Sequence, residues 1–192
     1  METESIVQQI LSHARYGYRV VIDGKVVWSG LGNRAGLHSF AGVVIAEKWG
    51  KSGGNFAKTM LKLAQEREEL KVINDQVGAP TGADLLADVT AQAIGQVITG
   101  RGETGLFHCV AAGHTSWFDY ARFVIEWART QGMPVKVKSE AIRAVATEAY
   151  PTPAQRPRNS RLSTEKLQRV FSLTLPPWQH GVERMLRETY GK

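Results

Sequence analysis

The sequence predicts a mixed α/β fold in which short strands alternate with amphipathic helices. Its 192 residues are long enough to bury a hydrophobic core. Hydrophobic residues make up 43% and charged residues 22% of the chain, as is typical of globular proteins. Beyond residue 50, apolar residues recur at helical spacing in several segments, and Gly or Pro separates these segments from short apolar runs.

The first 49 residues have a less regular pattern and form an atypical N-terminal segment. A short helix is predicted at residues 6–11 and a strand at residues 42–46. Two apolar runs flank Asp23 and Gly24, a dipeptide that favours a tight hairpin turn. Residues 30–35 (GLGNRA) have the spacing of a dinucleotide-binding turn, but neither an amphipathic helix nor a suitably placed acidic residue follows, so we attribute the spacing to chance.

The elements of residues 50–192 follow in order. Asn55 begins a helix that runs to about Leu70, followed by a strand at residues 71–73 and a loop at residues 74–81. Thr81 or Asp84 begins the next helix, which ends before Gly100. A strand is then predicted at residues 106–110.

A capping pair begins the following helix. Ser116 and Asp119 have the spacing of this pair, and the helix runs to about Thr130. A strand is predicted at residues 135–137 and a short helix at residues 163–171. Pro176 and Pro177 begin the last helix, because proline is favoured in a first turn.

Composition narrows the classes of function. The formal charge of +6 fits either an anionic partner or an ordinary basic surface. Cys109 is the single cysteine, which excludes an intrachain disulfide, and the five histidines lack zinc-site spacing. No apolar run is long enough to cross a bilayer, and the first residues lack the basic start of a signal peptide. We therefore expect a cytoplasmic protein without a membrane partner.

The loop at residues 76–81 is the first candidate site. Gly78 allows close approach of the backbone to a ligand, and Pro80 stiffens the loop. Gln76 and Thr81 offer neutral hydrogen-bonding groups that suit a sugar or a base. The alternative is a plain connection from strand to helix, with Thr81 as the helix cap.

The second candidate is the arginine segment, residues 156–161 (RPRNSR). Arginine matches phosphate oxygens, and Asn159 and Ser160 add further hydrogen-bonding groups. The alternative is a solvated basic loop. Nucleic-acid binding through the same arginines is a third reading, but no nucleic-acid motif accompanies them, so none is expected as a partner.

A catalytic pair of the short-chain dehydrogenase type is absent from the sequence. That pair is a tyrosine followed four residues later by a lysine, which helps the phenol act as a proton donor. None of the five tyrosines has a lysine at this spacing.

Five segments in order resemble the C-terminal half of dTDP-4-dehydrorhamnose reductases: residues 53–60 (GGNFAKTM), 72–81 (VINDQVGAPT), 117–120 (WFDY), 150–162 (YPTPAQRPRNSRL) and 175–182 (LPPWQHGV). The resemblance implies an α/β fold that is the C-terminal substrate-binding part of an extended short-chain dehydrogenase, a truncated Rossmann-type fold. Residues 50–192 would then be the nucleotide-sugar-binding part.

The activity that the resemblance implies is NADPH-dependent reduction of dTDP-4-dehydro-L-rhamnose to dTDP-L-rhamnose. NADPH or NADH would bind to a half that is absent here, so we expect the chain to be inactive alone. The alternative is a non-catalytic regulatory or binding subunit of the same fold. The dTDP-sugar would contact Asn55, Gln76, Gly78, Pro80, Thr81, Arg156, Asn159 and Ser160. Glu188 and Asp84 resemble ligands of a Mg²⁺ ion, and a homodimer or self-association is expected.

Overall fold

A computed structural model describes residues 17–22, 25–31, 55–150 and 156–191. Strands β1 (Gly17–Ile22) and β2 (Lys25–Leu31) pair in antiparallel fashion, with Ile22 opposite Lys25, which confirms the predicted hairpin. The predicted helix at residues 6–11 and the predicted strand at residues 42–46 lie outside the described residues. Residues 32–35 of the glycine-containing turn also lie outside them.

From residue 55 onward, helices are interspersed with short strands, as expected of a mixed α/β fold. They are α1 (Phe56–Glu66), β3 (Leu70–Ile73), β4 (Val77–Gly78), α2 (Ala83–Ile98), β5 (Thr115–Ser116), α3 (Trp117–Thr130), β6 (Ile142–Val145), α4 (Glu165–Phe171) and α5 (Trp178–Tyr190). Single 3₁₀ turns occupy Ser139–Ala141 and Thr147–Ala149. Strand β3 pairs with β6 in parallel, and β4 pairs with β5 in antiparallel fashion.

Helix α1 begins where the sequence predicts. The side-chain oxygen of Asn55 accepts a hydrogen bond of 2.8 Å from the backbone N–H of Lys58, which satisfies a donor that the first turn leaves unpaired. The helix ends at Glu66, and the prediction that it continues to about Leu70 is wrong. Leu70 begins β3 instead, and its side chain is only 4% exposed because it packs in the core against α1, α3 and β6.

Helix α3 lies at the centre of the fold and buries two faces. One face carries Tyr120 and Val124 and packs between α1 and α5. The other carries Ala121 and Ile125 and packs against α1, β3 and β6. The oxygen of Ser116 accepts a hydrogen bond from the backbone N–H of Asp119 at 3.0 Å, which confirms the predicted cap.

The third part of the core lies between α2 and α4, around Val89 and Phe171. Residues 106–110 cover this cluster, and the prediction that they form a strand is wrong. No described strand lies beside them to complete a ladder. Phe107 and Cys109 pack on the cluster, whereas Leu106 remains 61% exposed. The apolar run therefore serves as a cover for two helices.

Residues 135–137 also form no strand, so that prediction is wrong as well. The backbone N–H groups of Lys136 and Val137 donate to the carbonyl of Ala64, at 2.8 and 3.1 Å. That carbonyl lies in the last turn of α1, where such groups lack partners within the helix. The strand that pairs with β3 is instead β6, which the sequence analysis missed.

The last two helices agree with prediction. Helix α4 ends at Phe171 as expected, and α5 begins directly after Pro177 and buries Trp178, Val182 and Met185. None of the helices in the described part of the chain combines the length and the apolar character that crossing a bilayer requires. Several large apolar side chains remain exposed, including Ile98 and Leu106. Self-association stays a prediction.

Candidate functional site

The two candidate loops of the sequence lie side by side in the structure. The backbone N–H of Val77 donates to the carbonyl of Arg158 at 2.8 Å, and the N–H of Ser160 donates to the carbonyl of Val77 at 2.9 Å. Val77 also pairs with Ser116 of β5. Strand β4 therefore lies between β5 and the arginine segment, and these bonds fix the position of the second loop relative to the first.

Gly78 lies where the arginine segment runs beside β4 in a parallel bridge. A Cβ atom at this position would lie 2.8 Å from the hydroxyl oxygen of Ser160, which is closer than real Cβ contacts. The Ser160 hydroxyl donates to the carbonyl of Val77 at 3.0 Å. Both residues therefore contribute to joining the loops, and their contact with a ligand stays a prediction.

Gln76 is buried, with 6% of its surface exposed. The indole N–H of Trp117 donates to its Oε1 at 3.2 Å, and its Nε2 donates to Oγ1 of Thr147 at 3.2 Å. Both ends of the amide are thus used within the protein, as burial of a polar group requires. The predicted contact of Gln76 with a sugar or base would use the second hydrogen of Nε2 or the second lone pair of Oε1.

Asp75 forms the charged part of the same region. Its Oδ1 accepts from Oγ1 of Thr147 at 2.7 Å and from the backbone N–H of Thr147 at 3.0 Å. The hydrogen bond from the Thr147 hydroxyl, followed by the one from its backbone and by the charge of Arg158, lowers the pKa of the Asp75 carboxyl below its ordinary value. The guanidinium of Arg158 lies 3.7 Å from Oδ2 of Asp75 and 2.6 Å from Oε1 of Glu148.

Thr81 is occupied by backbone partners. Its hydroxyl donates to the carbonyl of Ala79 at 2.9 Å and accepts from the N–H of Ala111 at 3.1 Å. Helix α2 begins one residue later than a Thr81 cap requires, because Gly82 is the cap residue and provides no side chain. The alternative of a Thr81 helix cap is therefore wrong. Pro80 is partly buried beside Thr81, and contact of either residue with a ligand stays a prediction.

All three arginines of the arginine segment are exposed, and Arg156 and Arg161 differ from Arg158 in their lack of a described acidic partner. Within residues 55–150 and 156–191, neither has a carboxylate within ion-pair distance. The backbone N–H and Nε of Arg161 donate to Oδ1 of Asn159 at 3.1 and 3.0 Å, which orients that guanidinium. This edge of the site therefore carries positive charge that no described acid neutralises.

Asn55 lies at the beginning of α1, where its oxygen is used by Lys58. Its amide nitrogen approaches the sulfur of Met185 at 4.0 Å. No hydrogen bond among the described residues joins it to either candidate loop. Its predicted contact with a ligand has no support from this arrangement and stays a prediction.

The two acidic residues suggested for Mg²⁺ are brought together by an arginine. Arg184 donates to Oδ2 of Asp84 and to Oε1 of Glu188, each at 2.8 Å. The hydrogen bond to Glu188 and the charge of Asp84 raise the pKa of Arg184. The described residues contain no cluster of three or more potential metal ligands. The pair alone does not fit a metal ion, and Mg²⁺ stays a prediction that needs ligands from elsewhere.

A dinucleotide-binding turn is also missing from the described residues. One segment, residues 100–105 (GRGETG), has the G-x-G-x-x-G spacing, which the sequence analysis overlooked. It follows the helix α2 and leads into the extended residues 106–110. A true turn follows a strand and opens a helix whose first N–H groups hold the pyrophosphate. This segment does not fit a nicotinamide dinucleotide.

Four residues of the site escaped the sequence analysis: Asp75, Trp117, Thr147 and Glu148. Asp75 and Trp117 lie in segments that the resemblance includes, so they had a signal. Thr147 and Glu148 carried no such signal in the sequence. The partner of Thr147 lies about 70 residues earlier in the chain, and the partner of Glu148 lies ten residues later.

Comparison with known proteins matches residues 38–190 to a family described as the RmlD substrate binding domain. The chain belongs to this family. The match confirms the resemblance and places the fold as the α/β substrate-binding part of an extended short-chain dehydrogenase.

The relatives of this RmlD substrate-binding domain include several enzymes. It is 59% identical over 138 residues to the dTDP-4-dehydrorhamnose reductase of Escherichia coli K12, covering 72% of the chain and 46% of that protein. The dTDP-4-dehydrorhamnose reductase of Burkholderia thailandensis is 40% identical over 141 residues, covering 71% and 47%. The chain thus spans about half the length of the curated relatives that it matches.

Solved structures that are similar to this chain belong to the same family. The dTDP-4-dehydrorhamnose reductase of Bacillus anthracis, in complex with NADP, matches with a TM-score of 0.59 at 33% identity over 71% of this chain and 44% of that one. The reductase of Clostridium acetobutylicum matches with a TM-score of 0.60, also at 33% identity, over 71% and 44%.

Proposed function

We propose that this chain holds the dTDP-sugar of a dTDP-4-dehydrorhamnose reductase. In that role it belongs to the NADPH-dependent reduction of dTDP-4-dehydro-L-rhamnose to dTDP-L-rhamnose in the cytoplasm. The observation that carries the proposal is the junction of the two candidate loops. Strand β4 fixes the arginine segment by two backbone hydrogen bonds, and Arg156 and Arg161 remain exposed beside it.

The chemistry of a nucleoside diphosphate suits this arrangement. A diphosphate carries several negative charges, and guanidinium groups bind phosphate oxygens through charge-assisted hydrogen bonds. A fixed segment loses less conformational entropy when it binds than a free loop would. Arg156 and Arg161 would hold the diphosphate, with the amide nitrogen of Asn159 as a further donor.

The reduction itself needs a hydride, which NADPH or NADH supplies when it is bound. The described residues do not fit this cofactor, and the sequence contains no tyrosine with a lysine four residues later. We infer that this chain orients the sugar and that residues outside it provide the hydride donor and the proton donor. The chain alone is then a binding protein without turnover.

A calorimetric titration of dTDP into the purified chain tests the proposal. We expect saturable binding, weakened about tenfold by Arg156→Ala, because one charge-assisted hydrogen bond contributes roughly 1.5 kcal/mol. Arg67→Ala is the matched control. Arg67 is an exposed arginine before β3, at the opposite end of that strand from Asp75, so its loss should leave the affinity unchanged.

The other outcomes are equally informative. Equal loss in both variants, or binding to any polyanion with no preference for dTDP, would contradict a dedicated site and favour nonspecific binding of nucleic acid. A folded chain that ignores dTDP but forms a stable complex with another protein would favour the regulatory subunit. NADPH-dependent turnover by the chain alone would contradict the inactivity.

A further inference from the structure

We propose that Asp75 is the positioning residue of this site, and that it holds the arginine segment against β4 through Arg158. The inference rests on the proposed function in one respect, because the ligand that the positioned arginine segment would bind is a nucleoside diphosphate. Asp75 would not touch that ligand. It lies at the end of a chain of hydrogen bonds that runs from Trp117 through Gln76 and Thr147.

The two ends of this chain determine the direction of every hydrogen bond in it. The indole N–H of Trp117 can only donate, so it must meet the oxygen of the Gln76 amide. An ionised carboxylate can only accept, so the hydroxyl of Thr147 must donate its single proton to Asp75. The oxygen of Thr147 is then left to accept from Nε2 of Gln76. Each group in the chain therefore has one consistent role.

The ionised state of Asp75 is favoured by its surroundings. The Thr147 hydroxyl, the Thr147 backbone N–H and the Arg158 charge all stabilise the carboxylate, so its pKa is lowered and it is charged at neutral pH. Its side chain is 27% exposed, whereas that of Arg158 is 66% exposed. The carboxylate is thus the more enclosed partner of the pair and the arginine the more exposed one.

The ion pair acts on the backbone that joins the loops. Arg158 contacts Asp75 through Nε and Glu148 through a terminal nitrogen, so its guanidinium is held by two acids. Its own carbonyl accepts from the N–H of Val77. Fixing the side chain of Arg158 therefore fixes the register of Ser160 on β4. It also withdraws Arg158 from the ligand and leaves this role to its neighbours in the arginine segment.

The substitution Asp75→Asn tests the inference with little change in shape. The amide oxygen can still accept from Thr147, but the amide N–H₂ then faces the donors of Arg158 and the ion pair is lost. We expect dTDP to bind about tenfold more weakly. Glu68→Gln is the matched control, since it also neutralises an acid that pairs with a cation, Lys136, at 3.1 Å. Its affinity should stay within about twofold of the unsubstituted chain.

Arg158→Gln provides a second variant, which should fold because the side chain is largely exposed. If Asp75 acts through Arg158, each single substitution and the double substitution weaken dTDP binding by the same factor of about ten. A purely structural role of Asp75 would not give this coupling. Losses that multiply to about a hundredfold would overturn the claim that Asp75 works through Arg158.

Amide hydrogen exchange measures, without any ligand, how firmly the arginine segment is held against β4. Asp75→Asn and Arg158→Gln should speed the exchange of the N–H groups of Val77 and Ser160, which join the loops. Glu68→Gln should leave both unchanged. Faster exchange in a chain that does not bind dTDP would uphold the positioning role and refute the proposed ligand. Exchange in the Asp75 and Arg158 variants that matches the control would refute the positioning role.

Discussion

Tyr120 is a residue whose conservative replacement should stabilise the protein. Its side chain is 3% exposed and packs among aromatic rings, with centroids 5.2 Å from Phe56 and 5.7 Å from Trp178. No hydrogen-bond partner of its hydroxyl occurs in the part of the chain that the structure describes. Burial without such a partner raises the pKa of the phenol. The hydroxyl therefore gives up its hydration on folding and receives no bond in return.

The expected size of the effect follows from that imbalance. An unsatisfied buried hydroxyl costs about 1–3 kcal/mol, and its removal leaves a void smaller than a methyl group. Tyr120→Phe should therefore raise the free energy of unfolding by about 1 kcal/mol. Urea denaturation followed by circular dichroism measures this as a higher midpoint with an unchanged slope.

Tyr150→Phe makes the same chemical change with the opposite expectation. The hydroxyl of Tyr150 donates to the carbonyl of Lys71 at 3.0 Å on a side chain that is 45% exposed. Its loss should lower the free energy of unfolding by about 0.5–1 kcal/mol. If Tyr120→Phe destabilises the chain as much as Tyr150→Phe does, the Tyr120 hydroxyl has a partner and the reasoning fails.

Two further predictions concern the junction of the loops and the single thiol. Gly78→Ala should lower the free energy of unfolding by about 1 kcal/mol, because the new Cβ displaces the Ser160 hydroxyl from the carbonyl of Val77. The same substitution in a Ser160→Ala background should leave the free energy of unfolding unchanged. Urea denaturation that shows an equal loss in both backgrounds would contradict this. Burial raises the pKa of the Cys109 thiol from 9.0 to about 11. At pH 8 the thiolate fraction is therefore about a hundredfold smaller than that of an exposed cysteine. Iodoacetamide should react slowly with the folded chain until the pH approaches 11. Fast labelling of the folded chain at pH 8 would show that the thiol is not shielded.

The helices could be predicted from sequence because their signals are local. The cap at Ser116 depends on Asp119, only three residues later, and the structure confirms it. Strands need a neighbour, and the sequence does not show which segments become neighbours. Residues 106–110 and 135–137 have the composition of strands but find helices beside them. Residues 142–145 (IRAV) are only four residues long and include an arginine, and they nevertheless pair with β3.

The candidate site was predictable to the level of its segments. Both loops were identified from residue types, and the structure places them together. The use of individual side chains was not predictable in the same way. Gln76 and Thr81 have the polarity of ligand-binding groups, yet Trp117, Thr147 and Ala111 take up most of their hydrogen bonds. Those partners are 30 to 71 residues distant in sequence, so only the folded chain reveals them.

The junction at Val77 has a consequence for how the chain folds as it is made. Ser160, which supplies the second neighbour of β4, follows Val77 by 83 residues. Closing so long a loop costs entropy, although each doubling of loop length adds only about 0.6 kcal/mol. During synthesis, one edge of β4 must therefore stay open while two long helices are completed. An open strand edge is a template for pairing with other chains, so the step that completes the site also ends the period in which this edge favours aggregation.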